Sequence, residues 1–144
     1  MNKFFIKQTR FKDDIAGIQH VREQVFIKEQ HVPVELEWDG LDDEAVHLLV
    51  THNNHPVATS RMLADGHIGR MAVMPDWRNQ GIGTAMLLKL IEIARQLNHK
   101  AVFLSAQVGA IDFYSKQGFN IDSDTYMDAG IPHRDMILNL TEQV

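Results

Sequence analysis

Between residues 67 and 97 an apolar segment runs into a glycine-bearing corner and then into a long amphipathic stretch: HIGRMAVMPDWRNQGIGTAMLLKLIEIARQL. Ile68, Met71 and Val73 give residues 67–74 strand character. Ile82, Met86, Leu90, Ile93 and Leu97 then recur at helical spacing, widened by Leu87, Ile91 and Ala94, so a helix is expected over about 81–97. A second apolar run, 101–106, follows after Asn98, His99 and Lys100. Strand, helix and strand in this order make a right-handed crossover between parallel neighbours, which places the chain in the α/β class. The corner is also an anion site in outline. The first turn of a helix has N–H groups without intrahelical partners, and Gly81 and Gly83 would let phosphates approach the main chain.

The remaining segments build a sheet around that crossover. Residues 3–9 alternate weakly and read as a first strand. Asp13 and Asp14 mark a helix start, and Ile15, Ile18, Arg22, Val25, Phe26 and Glu29 carry the helix to about 29 before Pro33 stops it. Residues 34–44 are acidic and turn-like. Strands at 45–52 and 57–63 flank a turn at 53–56, and Asp65-Gly66 turns into the strand at 67–74. A short helix over 109–117 ends at Gly118, and strands at 119–126 and 134–140 flank a turn-rich loop, 128–133. The expectation is one domain, 1–144, with a mixed, mainly antiparallel sheet flanked by helices.

Composition narrows the function. Lys and Arg number 14 against 19 Asp and Glu, a net charge of −5, which speaks against a nucleic-acid partner. No segment has the ~20 apolar residues of a membrane span, and the N-terminus is charged too early for a signal peptide, so a cytoplasmic protein is expected. Cysteine is absent, which removes disulfides, thiolate ligands and a cysteine nucleophile. The eight histidines form no helical metal-binding pair, so no metal is expected, and His47 reads as a hydrogen-bonded, partly buried side chain. There is no Gly-x-Ser-x-Gly elbow. The corner is neither a P-loop, lacking the Gly-Lys-Ser/Thr end, nor a dinucleotide fingerprint, lacking the third glycine.

Two blocks carry a resemblance. Arg78-x-x-Gly81-x-Gly83 after Met71-Ala72-Val73, and the segment AIDFYSKQGF at 110–119, together resemble the GCN5-related N-acetyltransferase (GNAT) family over roughly residues 45–140. The segment VFIKEQHVP at 25–33 resembles a box in a subgroup of small bacterial acetyltransferases, where this region lines the acceptor side. The resemblance implies acetyl-CoA bound where two central parallel strands, 67–74 and 101–106, splay apart. Met71, Ala72 and Val73 would run beside the pantetheine and polarise the thioester carbonyl. Arg78, Asn79, Gln80, Gly81, Ile82, Gly83 and Thr84 would hold the pyrophosphate. Gln107 stands where many relatives have a cofactor-contacting asparagine.

Tyr114 matches the family's general acid; read from its own surroundings alone, the favoured reading is a core aromatic whose hydroxyl finds a backbone partner. Glu29 and His133 are the candidate bases, acting through water, and either can instead be structural. The implied reaction is direct acetyl transfer to a small-molecule or peptide amine in a ternary complex. The competing reading is a non-catalytic acyl-CoA sensor or interaction module on the same fold. No membrane partner is expected, and the sequence leaves a monomer and a homodimer open.

Overall fold

A computed structural model describes residues 3–141, so the outermost residues of the expected single domain lie outside the description. The order along the chain is β1 (Phe5–Thr9), α1 (Ile15–Arg22), a π-helical segment (Glu23–Glu29), α2 (Val34–Glu37), β2 (Val46–His52), β3 (His55–Met62), β4 (His67–Val73), α3 (Ile82–Gln96), β5 (Ala101–Gln107), α4 (Ile111–Ser115), β6 (Asn120–Ile121), β7 (Tyr126–Asp128) and β8 (Ile131–Asn139). One eight-stranded sheet runs β1-β2-β3-β4-β5-β8-β6, with β7 also on β8. Among the described residues only β4 and β5 pair in parallel; the other pairings are antiparallel. No helix among the described residues is long and apolar enough to cross a membrane.

Turn chemistry sets the register. Asn53 and Asn54 both take positive φ, 50° and 67°, which closes β2 onto β3 with two residues, so β3 starts at His55 and His52 and His55 face each other in strands. Gly66 has φ 97°, and a Cβ there would lie 2.8 Å from the Ala101 carbonyl, so both its conformation and its packing demand glycine. The expected loop at 128–133 is instead a tight hairpin: Ala129 and Gly130, φ 51° and 77°, join β7 to β8. The strand expected over 119–126 is broken into β6 and β7, and the helix expected over 109–117 begins with a 3₁₀ turn, Val108–Ala110.

Helix α3 buries Met86, Leu87, Leu90, Ile93 and Ala94 against one sheet face, where Leu48, Val50, Ile68, Val102 and Leu104 point. That apolar contact, each large side chain contributing about 1.5–3 kcal/mol, is the main core. Helix α1 covers the other face with Ile18 and Val21. Gly17 lets it approach closely, since a Cβ there would sit 3.1 Å from Leu49. The helix expected to run to residue 29 changes winding at Glu23. In the wider turn Val25 joins Val21 on Ala72, with Phe26 and Met74 alongside.

The acidic segment 34–44 differs most from its expectation. Glu37 and Asp42 are buried, and Asp39 turns the same way. Arg22, entirely buried, donates through Nε to Glu37 at 2.7 Å and through Nη1 to Asp42 at 2.6 Å. Arg61 grips Asp39 at 2.9 and 3.0 Å and reaches Asp42 at 3.1 Å, while Arg70 meets Glu37 at 3.2 Å and Asp39 at 3.0 Å. Three guanidinium groups and three carboxylates thus neutralise one another. Removing one partner strands charges in a low dielectric. Arg22→Met should therefore lower unfolding free energy by about 3–5 kcal/mol in urea titration; a loss under about 1 kcal/mol would mean that water reaches the cluster.

Candidate active site

The sheet opens between β4 and β5. They share only two register pairs, His67 with Phe103 and Ile68 with Leu104, the outer pair reinforced by ring stacking at 4.9 Å. The cause lies in β4. Arg61 pairs with Gly69 but Thr59 pairs with Ala72, so Arg70 and Met71 together oppose Ser60 in a β-bulge, and Arg70 takes φ 48°. A bulge adds twist and turns the strand aside. The ladder to β5 therefore ends at Ile68, well before the end of the strand expected over 67–74; Met74 N–H still bonds the Val57 carbonyl on β3. From Gly69 to Val73 the β5-facing edge of β4 has no strand partner among the described residues, although the Val73 carbonyl accepts from Arg78.

A cavity of about 910 Å³ fills the gap. At one end stands the glycine corner. Gly81 occupies the N-cap of α3 with φ 83°, and nothing lies within 4 Å of where a Cβ would be. Gly83 does different work: its Cβ would meet the Phe113 ring at 3.3 Å, so it sets the approach of α4 to α3. Asn79 and Thr84 line the same end. Ile82 sends its side chain into the core and offers only its backbone N–H. Gln80 is exposed beside this wall and not part of it.

Arg78 and Glu29 meet. The guanidinium donates to both carboxylate oxygens at 2.8 and 2.6 Å and to the Val73 carbonyl at 2.8 Å. The hydrogen bond from Arg78 holds Glu29 below the ordinary carboxylate range. Glu29 is off the cavity wall, so the expected base and the expected phosphate ligand form one ion pair tying the π-helical segment to the corner. Next to it Gln107 donates to Gln30 at 2.8 Å, closing the same seam from β5.

Tyr114 reaches the cavity from α4, packed edge-on against Phe113 and Phe119. Its hydroxyl contacts the Met71 sulfur at 3.9 Å, a weak acceptor, and not a backbone carbonyl. Burial pushes the phenol up to about 12, so it stays protonated. His133, on β8, lines the opposite wall and is nearly buried. Its Nδ1 lies 2.7 Å from the Ile131 carbonyl, which can only accept. The neutral ring therefore carries its proton on Nδ1 and keeps a lone pair on Nε2. His47, by contrast, is buried behind the charge cluster with Nε2 2.9 Å from the Asp42 carbonyl, a packing histidine as the sequence suggested.

Sequence reasoning missed three features here. The bulge at Arg70 has no glycine to announce it. The charge cluster forms a cavity wall through Glu37, Asp39, Arg61 and Arg70; burial alone would raise Asp39, yet Arg61 holds it down at about 2, whereas burial raises Glu37 against the pull of Arg70 and Arg22. Ser105, on the wall, is hydrogen-bonded to Tyr126, which donates to Asp135. Alternation along β5 could have placed Ser105 beside Gln107, but nothing local points to its partners.

A sequence model described as "Acetyltransferase (GNAT) domain" matches residues 11–140. An uncharacterized N-acetyltransferase of Bacillus subtilis, YjcF, is 37% identical over 130 residues, covering 88% of this chain and 93% of that one. Among solved structures, an acyl-CoA N-acyltransferase from Pseudomonas aeruginosa superposes with TM-score 0.81 at 28% identity, covering 95% and 99% of the two chains. Escherichia coli ElaA gives 0.83 at 27% identity, covering 92% and 98%.

The Arg78–Glu29 pair is partly exposed on both sides, so water competes for it. A double-mutant cycle of Glu29→Gln and Arg78→Gln, read by urea unfolding, should return a coupling of about 0.2–1 kcal/mol. A coupling of several kcal/mol would instead make the pair a principal fastening of the fold.

Proposed function

This chain belongs to the GNAT acetyltransferase family, and from that premise we propose that it transfers the acetyl group of acetyl-CoA directly to a primary amine in a ternary complex. The observation that carries the reading is the unpaired edge of β4 lying between the N-terminus of α3 and the Tyr114 hydroxyl. An exposed strand edge can pair with an extended amide-bearing chain as another strand would. Acetyl-CoA has such a chain, and it supplies the activated acetyl group as a thioester.

In this reading the main chain of Met71, Ala72 and Val73 pairs with the pantetheine and aims an N–H at the thioester oxygen. Donors fixed before the reaction stabilise the oxyanion without reorganising. The backbone N–H groups of Ile82, Gly83 and Thr84, with Asn79 and Gly81, take the pyrophosphate, and Arg78 and Gln80 border that site. Gln107 would have to exchange its bond with Gln30 to contact the cofactor.

Tyr114 then protonates the departing thiolate. Its raised pKa does not disqualify it, because the same apolar surroundings raise the basicity of a thiolate formed there. His133 is the better base of the two candidates, since its Nε2 has a lone pair and Glu29 is occupied by Arg78. An alkylammonium, pKa about 10.4, must lose a proton before its nitrogen can attack. The absence of cysteine and of a Gly-x-Ser-x-Gly nucleophile elbow supports direct transfer without an acyl-enzyme.

Two measurements test the proposal. Saturating acetyl-CoA should raise the melting temperature, as any ligand of the folded state does. Gly81→Asp, which puts bulk and negative charge at an open left-handed position, should abolish the shift. An unmoved wild-type melting curve would remove acetyl-CoA from the account. CoA thiol release should then need an added amine; ethylamine, hydroxylamine, spermidine, an aminoglycoside and a peptide with a free α-amine make a suitable panel. Cofactor binding without release for any of them would favour an acyl-CoA sensor.

Tyr114→Phe keeps the ring and removes the acid. It should bind acetyl-CoA like wild type while kcat falls roughly 10²–10⁴-fold, about 3–5 kcal/mol of barrier. An unchanged single-turnover rate would make Tyr114 a packing residue.

A further inference from the structure

The reaction proposed above releases two protons from nitrogen, and one base accounts for only one of them. An alkylammonium brings three N–H bonds and leaves as an amide with one. His133 can take the first proton before attack. The second becomes acidic only when the nitrogen lone pair has been committed to the new C–N bond, and His133 is by then already protonated. Tyr114 gives a proton to sulfur and accepts none.

We propose that the second proton leaves through a relay of Ser105, Tyr126 and Asp135, running from the cavity wall to solvent. Sheet register builds this row. Ser105 on β5 is the register partner of Asp135 on β8, and Tyr126 on β7 is the partner of His133, two residues along β8 on the same face. Ser105 lines the cavity, Tyr126 is half-buried with its ring stacked on His133, and Asp135 is exposed. Asp135 is held in place at its backbone, its N–H bonded to Ser123 Oγ and its carbonyl to the Asp122 N–H, both at 2.8 Å.

The carboxylate sets the polarity of the row. Ionised Asp135 can only accept, so Tyr126 spends its single proton on Oδ1, 2.5 Å away. Tyr126 must then accept from Ser105, its hydrogen-bond partner on the other side. Ser105 has in turn no proton left for the cavity and presents a lone pair to it. A serine held this way is an acceptor for an N–H. Burial and the hydrogen bond to Asp135 both raise the Tyr126 phenol, so it remains protonated at rest and passes protons by exchange.

The step balances. The nitrogen pair forms the C–N bond as the carbonyl π pair moves to oxygen. That pair then re-forms C=O as the C–S pair leaves with sulfur, which takes the Tyr114 proton. The surplus N–H proton moves to Ser105 Oγ, the serine proton to Tyr126, and the Tyr126 proton to Asp135, which delivers it to water. Ser105 would touch the substrate and so be catalytic; Tyr126 and Asp135 act through it.

The relay rests on the acetyltransferase reading, and one experiment separates the two. CoA thiol release is followed with ethylamine, spermidine and hydroxylamine for wild type, Ser105→Ala, Ser105→Thr and Tyr126→Phe, with folding checked by the acetyl-CoA melting shift. Ser105→Ala and Tyr126→Phe should lower kcat roughly 10²-fold and leave the acetyl-CoA KM in place. Ser105→Thr, which restores a hydroxyl, should recover most of the loss. In mixed light and heavy water the wild-type rate should curve with deuterium fraction, as several protons move together, and turn linear in Ser105→Ala. Wild-type kcat in a folded Ser105→Ala, or Ser105→Thr failing as Ser105→Ala does, would overturn the relay alone. If wild type binds acetyl-CoA but releases no thiol with any of the three amines, the transfer reading fails and the relay with it.

Discussion

Everything at the candidate site depends on β4 and β5 parting after Ile68. Two parallel strands normally satisfy each other's backbone groups along their shared length, and leaving such groups unpaired costs free energy unless water or a ligand takes them. The bulge at Arg70 enforces the separation by using one extra residue against Ser60. Its positive φ is itself unfavourable for a non-glycine residue, so the surroundings must hold it. They do so through the Arg70 guanidinium, which is fastened to Asp39 and to the main chain of Leu36 and Glu37. The opening in the sheet and the buried charge cluster are therefore one construction.

That construction changes the meaning of the acidic segment. Read locally, residues 34–44 look like an acidic, solvated turn. In the fold, Glu37, Asp39 and Asp42 are spent on Arg22, Arg61 and Arg70. Glu37 and Asp39, with Arg61 and Arg70, form part of the cavity wall as a fixed ion-pair network. Among the groups facing the cavity are milder ones, the Tyr114 phenol, His133 Nε2 and the Ser105 hydroxyl.

Glu29 and Arg78 show the same limit of local reading. Each matched a motif, and the motifs suggested an acceptor-side base and a phosphate ligand. The side chains are long, of opposite charge and brought to one seam by the π-helical segment and the corner, so they pair instead. Gly81 and Gly83 likewise form one motif but serve two ends, an open left-handed N-cap and a close helix contact with Phe113. His133 kept its place at the site, although its tautomer is set by the Ile131 carbonyl inside a hairpin whose tightness was not foreseen.

The amino-acid sequence alone determined the class of fold and the crossover that carries the glycine corner. These follow from local signals: the helical period of Ile82 to Leu97, the apolar strand run at 67–74, and the turn residues Asn53, Asn54 and Gly66. Only the tertiary structure decided which polar groups meet. Arg22 with Asp42, Glu29 with Arg78, and Ser105 with Tyr126 are 20, 49 and 21 residues apart. Such pairs are selected by strand register and helix packing, and a charged or hydroxyl side chain carries no local mark of the partner that will satisfy it. The bulge at Arg70 belongs with them, because its strain is tolerated only where distant residues hold it.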